Sequence, residues 1–380
     1  MKKCDFLVIG AGIAGASAAY ELAAMGSVVV LERESAPGYH TTGRSAALYL
    51  ERFGKPAICA LTRGSRPFLE SPPEGLAEHP LLTGRGMLWI GRPDQEKSLA
   101  AALALPGSQP TRLRRIESDE ARAMVPVLRG DYLAGGVLEP GAMDIDVHAL
   151  HQVFLKGLRA RGGEVVTDAE VTGLGRQGGQ WVVETEGESY SAPVVVNAAG
   201  AWCDEVARLA GVRPLGLSPL RRTAFTFDPP EGARPSDWPA VSDVDERFYF
   251  KPESGRLMGS PAEETPLPPC DARPEDRDVA EGVDRIERAT TMRIARVARK
   301  WAGLRTFAPD RVPVVGLAPD AAGFFWLAGQ GGNGIMTSPA MGRLSAALIA
   351  GRSIPPDLAD LGVHEAELSP ARFAKISQEA

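Results

Sequence analysis

The chain has 380 residues, 44% of them hydrophobic and 24% charged, which excludes a disordered or fibrous polymer and suits one large α/β domain or two interleaved lobes. Its 42 Lys and Arg stand against 48 Asp and Glu, a net charge of −6, and 6% of residues are aromatic. Neither an overall basic field nor a base-stacking surface is present, so no nucleic-acid partner is expected.

Asp5 to Ile9 forms a short β-branched run suited to a buried parallel strand. Gly10-Ala11-Gly12-Ile13-Ala14-Gly15 follows, then an alanine-rich helix predicted from Ala16 to about Met25, a stop at Gly26, and a second strand, Val28 to Leu31, ending at Glu32. Strand, glycine turn, helix, strand and a terminal acid together specify a dinucleotide site. Gly10 allows the tight turn, Gly12 lets the backbone approach a pyrophosphate, and Gly15 lets the helix pack on the strand. Glu32 accepts hydrogen bonds from an adenosine ribose. The motif leaves FAD and NAD both open. Glycines and Glu21 interrupt this apolar stretch, and no segment reaches the roughly 18 consecutive apolar residues of a membrane span, so no transmembrane span is expected.

Residues 38 to 47, Gly-Tyr-His-Thr-Thr-Gly-Arg-Ser-Ala-Ala, form a polar loop leading into a predicted helix start with further N–H donors. Asp146 is positioned to cap a helix carrying Leu150, Phe154 and Leu158, and Pro193 to Asn197 reads as another buried strand. Phe225-Thr226-Phe227 and Phe248-Tyr249-Phe250 alternate as strands do, whereas Pro261 to Pro269 reads as an exposed loop. Phe324 to Ala328 is a strand, followed by Gly329-Gln330-Gly331-Gly332-Asn333-Gly334 and a helix predicted to open at Ser338 with Pro339 in its first turn. That glycine loop supplies either cofactor donors or a packing turn. Cys4, Cys59, Cys203 and Cys270 are dispersed and read as reduced thiols of a cytosolic protein. His148 and His151 read as surface histidines, and no metal is expected.

These stretches carry a resemblance. VIGAGIAGAS, VVVLERE, PGYHTTGRSAA, VVNAAGAWCDEVARLAGVRPLGL, RRTAF, FYFKP, WAGLR, GFFW and QGGNGI resemble, in order, the D-amino-acid oxidase superfamily of FAD-dependent oxidoreductases. Within it the chain is most similar to bacterial D-amino acid dehydrogenases of the D-arginine type. The resemblance implies an α/β Rossmann-like FAD-binding domain (1–52, 140–216 and 300–380) interleaved with an α+β substrate domain (53–139 and 217–299) on a mainly antiparallel sheet. It implies that Ala14, Glu32, Arg33, Thr42, Gly43, Arg44, Ser45 and Ala47 line FAD, with Val171 at the adenine and Ala199, Gly200 and Trp202 on the adenine and ribose side. Gly303, Gly331, Gly332, Asn333, Gly334 and Ile335 fall near the isoalloxazine. The cysteine that tethers flavin in some sarcosine oxidases, just after the position of Arg305, is missing, which implies noncovalent FAD.

The reaction implied is oxidation of a D-amino acid, with hydride passing from Cα to flavin N5 and the imino acid hydrolysing to a 2-oxo acid and ammonia. Arg222, Tyr249 and Arg305 match carboxylate-binding positions, and the Gly332 carbonyl is a candidate acceptor for the substrate amine. A guanidinium fork suits a carboxylate because it engages both oxygens. Leu48, Phe53 and Met87 replace a histidine, a tyrosine and a glutamate of the D-arginine enzymes, which implies hydrophobic D-amino acids. A glycine- or sarcosine-type amine oxidase is the alternative, and a catalytically decayed FAD-binding sensor or partner is a third. The electron acceptor is a quinone, a dye or oxygen, and the expected location is cytoplasmic or peripheral to the inner membrane.

Overall fold

The computed structural model describes residues 1–104 and 113–373. Residues 105–112 and 374–380, assigned from sequence to the second and first lobes, lie outside the described residues. The β-branched runs build a six-stranded sheet. Strand Phe6–Ile9 pairs in parallel with Val28–Leu31 and with Val194–Asn197. Glu164–Val166 and Phe324–Ala328 extend it in parallel, and Val314–Leu317 closes it antiparallel. Every residue of Val28–Leu31 and Phe324–Ala328 is buried, as strands covered on both faces must be.

Helix Ile13–Leu22 begins a turn earlier than Ala16, directly behind the glycine turn, and carries eight buried side chains or glycines among its ten residues. Helix Gly334–Ile349 crosses it at Gly342, where an added Cβ would lie 2.6 Å from the Ser17 carbonyl oxygen. Helix Val147–Ala160 meets it at Gly157, where a Cβ would reach 2.4 Å from the Tyr20 ring. Small residues at both crossings let the helices approach. Asp146 caps Val147–Ala160 as the sequence predicts, accepting from the Ala149 N–H at 2.8 Å. The C-terminal glycine-loop helix differs: it opens at Gly334, so Ser338 and Pro339 lie inside it. Pro339 has no N–H for the Ile335 carbonyl, and the Ser338 hydroxyl donates to that oxygen instead, at 2.9 Å. The helix therefore tolerates its proline.

The second lobe is a nine-stranded mixed sheet, mostly antiparallel. Its long strand Ser218–Phe227 runs beside Arg256–Ser260, then Tyr249–Glu253, Ala240–Asp243, Met87–Gly91, Gly135–Glu139 and Arg114–Ile116. Strand Val297–Phe307 pairs with Ser218–Phe227 along its length. Residues 300–307 thus sit in the large sheet, not with the dinucleotide lobe as the sequence boundary at 300 has it. Helix Pro56–Glu70, placed by sequence in the second lobe, packs on Gly334–Ile349; Ala57, Ala60 and Leu61 share a core with Ala340, Met341 and Leu344. Apolar burial rather than chain order decides both memberships. Phe225, Phe227, Phe248 and Phe250 fill the core on the far side of the large sheet, against Val279 and Ile286 of helix Asp276–Ala289.

His151 is a correction. It is 3% exposed, and its Nε2 lies 2.9 Å from the Ala11 carbonyl oxygen, so it braces the glycine turn from below. Among the described residues no helix is long and apolar enough to cross a membrane.

The two-helix crossing at Gly342 gives the first testable outcome. Gly342→Ala sets a methyl against main chain, and such overpacking costs about 1–3 kcal/mol. Gly175→Ala, which meets nothing within 4 Å, stays within about 0.5 kcal/mol of the parent. Urea unfolding of the two variants reads the difference.

Candidate active site

A single long cavity runs from the glycine turn to the face of the large sheet, and it collects most of the sequence-predicted residues. At one end, Gly10 has φ +99° and Gly15 cannot carry a side chain, because its Cβ would lie 1.8 Å from the Gly10 carbonyl oxygen. Gly15 therefore shapes the turn from behind and does not line the cavity. Gly10, Gly12 and Ala14 do line it, with Glu32 and Arg33 beside them. Glu32 accepts from the Ala11 and Glu34 N–H groups at 2.9 and 3.0 Å. Burial raises its carboxyl above the usual range, and those two N–H bonds oppose the shift. The Thr42 hydroxyl oxygen accepts the Ile13 N–H at 2.9 Å, tying loop 38–47 to the helix start. The first turn of a helix leaves N–H groups without intrahelical partners, and Gly12, Ile13 and Ala14 at this one line the cavity.

Loop 38–47 forms a 3₁₀ turn, Thr42–Arg44, rather than the helix start expected from sequence. Thr42, Arg44, Ser45 and Ala47 line the cavity, but Gly43 does not; its N–H donates to the Gly38 carbonyl at 2.8 Å. The Arg44 guanidinium is a strut, donating to the Ala272 and Ala302 carbonyls at 3.0 and 3.1 Å and to Asp271 at 2.6 Å. Val171, Ala199, Gly200 and Trp202 surround the other side of this end. The Arg33 guanidinium lies 4.9 Å over the Trp202 ring and the His40 ring lies 4.7 Å from it, giving an aromatic and cationic wall. His40, Thr41 and Glu170 also line this end and were not singled out from sequence. Side-chain stacking across a fold leaves no local pattern to read.

At the other end the large sheet is the floor. Side chains alternate along a strand, so registered neighbours across strands share a face. Met87 is opposite Ala240, and Trp89 opposite Ser242; Ser242 is opposite Tyr249, and Arg222 opposite Gly303. All of these line the cavity, with Lys251, Ala224 and Arg305. Arg221, one residue out of phase, turns to the far face and donates to Asp278 at 2.8 Å and to Glu275. Lys251 was missed from sequence. It faces the cavity two residues from Tyr249, with Nζ on Asp144 at 2.9 Å and on Glu253 at 2.8 Å. Leu48, Phe53 and Met87 form an apolar wall with Leu50, and Phe53 stacks on Trp89 with ring centroids 6.1 Å apart.

Arg222 and Arg305 face one another's charge. Arg222 is 9% exposed; it donates to the Glu263 carbonyl at 2.8 Å and reaches Glu264 at 3.4 Å. Arg305 stands against the glycine loop, where a Cβ on Gly332 would lie 3.1 Å from its Nη1. Burial, then the Arg222 charge, push the Arg305 guanidinium down to about 10. Glu246 at the cavity edge is the missed counter-charge. Burial raises its carboxyl, and Arg222 and Arg305 pull it back. Gly303, Gly331, Gly332, Gly334 and Ile335 line the cavity beside these groups, as does Gln330, whose buried Nε2 has no partner. Asn333 instead lines an adjoining pocket, and its carbonyl accepts the Thr337 hydroxyl at 2.9 Å.

The chemistry of the cavity fits FAD. Glycines at which a Cβ would clash shape a cradle for a pyrophosphate, Glu32 lines the cavity at the end of the second strand, and Gln330, with an unpartnered buried amide, lines the remote end. Comparisons agree. The family model described as FAD dependent oxidoreductase (DAO) matches residues 5–348. An uncharacterized oxidoreductase of Bacillus subtilis (strain 168) is 23% identical over 371 residues, covering 93% of this chain and 97% of its own. Mitochondrial sarcosine dehydrogenase of Mus musculus is 26% identical over 363 residues, 89% of this chain but 39% of that longer protein. The crystal structure of glycine oxidase from Geobacillus kaustophilus has a TM-score of 0.83 at 23% identity, over 96% of this chain and 99% of that one, which shows the shared fold. The chain belongs to the DAO family of FAD-dependent oxidoreductases.

Proposed function

We propose that the protein oxidises the Cα–N bond of a small α-amino acid with an unsubstituted or N-alkylated amine. The observation that carries this reading is the pair Arg222 and Arg305 on one cavity wall, with Tyr249 beside them and an apolar wall opposite. The named relatives, a sarcosine dehydrogenase and a glycine oxidase, support it over the hydrophobic D-amino acids expected from sequence. A second reading, hydrophobic D-amino acids, is favoured by Leu48, Phe53, Met87 and Trp89, which offer area to an apolar side chain and no acid to a cationic one.

FAD, when bound, supplies the two-electron acceptor. The protein's own groups hold the substrate. Arg305 and Arg222 bind the carboxylate, and its charge relieves the repulsion between them. The Tyr249 hydroxyl adds a donor, and the Gly332 carbonyl accepts from the substrate amine. Held this way, the Cα–H bond has one orientation, and positioning is the main contribution of the chain. The apolar wall keeps water from the reacting carbon and favours the neutral amine.

Anaerobic bleaching of the flavin tests the reading. Sarcosine and glycine are expected to bleach it, and D-arginine is not. Bleaching by D-leucine alone selects the second reading, and bleaching by D-arginine alone defeats both. Arg305→Met is expected to lower kcat/KM about 10²–10³-fold, the usual loss when one partner of a buried charge pair is truncated, with Arg305→Lys recovering part of it. Because Arg305 is charged only below about pH 10, acetate affinity should hold up to that pH and fall above it. The double variant Leu48→His, Met87→Glu should raise kcat/KM for D-arginine relative to sarcosine; an unchanged ratio removes those two residues from the specificity wall.

A further inference from the structure

The large sheet's cavity-facing row continues past the wall. Strand Gly135–Glu139 pairs antiparallel with Met87–Gly91, and Glu139 is directly opposite Met87, on the same face. Met87 lines the cavity; Glu139 does not, yet it is 2% exposed. Its Oε1 has no hydrogen-bond partner. Against it lies the turn after strand Leu48–Tyr49, and the main-chain N–H of Glu51 faces its carboxylate.

That turn delivers two wall residues. Leu50 and Phe53 flank Glu51 and Arg52 and point into the cavity. Glu51 is itself 7% exposed, held by the Tyr49 hydroxyl at 2.9 Å and the Arg66 guanidinium at 2.8 Å, with Glu70 on the other side of Arg66. The groups facing Glu139 are therefore the Glu51 carboxylate, the Arg52 guanidinium, whose buried Nε is unpartnered, and the Cys59 thiol of helix Pro56–Glu70. Arg66 is already engaged by Glu51 and Glu70, which leaves Arg52 to offset a second buried charge.

Resting on the reading of this cavity as the substrate chamber, we propose that Glu139 is a positioning residue for the apolar wall. Uncharged, it lets the turn carrying Leu50 and Phe53 seat with Phe53 stacked on Trp89. Ionised, it repels Glu51 and unseats that turn, so affinity for apolar substituents falls with rising pH. Burial, then the Glu51 charge, push the Glu139 carboxyl up to about 7, which sets the pH at which the wall loosens. The sign follows. Below this pH the proton stays on and the wall is closed; above it, each further pH unit removes about nine-tenths of the remaining neutral form.

The test uses holoenzyme and two carboxylates without an amine, read from the perturbation of the flavin spectrum. 4-Methylpentanoate reaches the wall and acetate does not. For the wild type, the Kd of 4-methylpentanoate should rise by up to about tenfold per pH unit above 7. The Kd of acetate, which stays at the Arg222 and Arg305 end, should lack that limb. Glu139→Gln keeps an acceptor for the Glu51 N–H but cannot ionise, and should flatten the 4-methylpentanoate profile. A profile unchanged in Glu139→Gln, or flat in the wild type, overturns the proposal while leaving the chamber reading intact. Should Glu139→Gln not fold, Glu51→Gln serves, since removing the neighbouring charge must move the break to lower pH; an unmoved break is equally fatal. Should neither acid perturb the flavin, the chamber reading fails, and Trp89 fluorescence (wild type minus Trp89→Phe) decides separately. A pH-dependent signal lost in Glu139→Gln sustains the wall movement, and one retained defeats it.

Discussion

Two guanidinium groups of like charge on one cavity wall are the constraint around which the second lobe is built. Arg222 and Arg305 cannot neutralise one another, and the available acids do so incompletely. Glu264 is shared with Arg311, and Glu246 stands at the edge. Burying like charges is unfavourable unless an anion completes the site. The substrate carboxylate proposed above would answer that uncompensated charge, which distinguishes this wall from Arg221, ion-paired with Asp278 and Glu275 on the other face of the same strand.

Strand phase explains how both arginines arrive there. Val297–Phe307 pairs with Ser218–Phe227 in a register that sets Arg222 opposite Gly303 and Arg305 opposite Leu220, so the two side chains rise from adjacent strands on one face. Gly332 lets the glycine loop come down on the Arg305 guanidinium, where a Cβ would lie 3.1 Å from Nη1. A one-residue slip would exchange Arg222 for Arg221 and turn the anchor into the core. Register, more than the identity of any loop, holds the site.

The dinucleotide half was legible because its chemistry is local. Gly10, Gly12, Gly15 and Glu32 lie within one strand–helix–strand unit, and each has a steric or hydrogen-bonding reason visible at fixed spacing. In the second half of the cavity, Arg222, Tyr249, Arg305, Gly332, Leu48, Phe53 and Met87 were named through a resemblance rather than from any local pattern. Lys251 and Glu246 went unread because each acquires meaning from other strands, Lys251 from Asp144 and Glu246 from Arg222 and Arg305. The boundary at residue 300 falls inside strand Val297–Phe307, which is held to the large sheet by ten registered pairs with Ser218–Phe227, a partner the local sequence does not reveal. Tertiary pairing, not local propensity, decides membership there. Ser338 and Pro339 misled in the same way, since a cap pattern sits inside a helix once a hydroxyl takes over the missing N–H bond.

Polar groups behind the apolar wall complete the picture. Leu48 is opposite Asp144, and Asp144 binds both Lys251 of the floor and Arg85, so the short strand carrying Leu48 is tied to the large sheet by charge. Met87 lies between that network and buried Glu139 in the same row. The wall is thus hydrophobic on its inner surface and ionic one layer back. An apolar lining alone would tolerate many substituents, because dispersion is not directional. Backing it with hydrogen-bonded charges restricts where each side chain can stand, and that restriction, rather than hydrophobicity itself, is what allows such a pocket to discriminate between substituents of similar size.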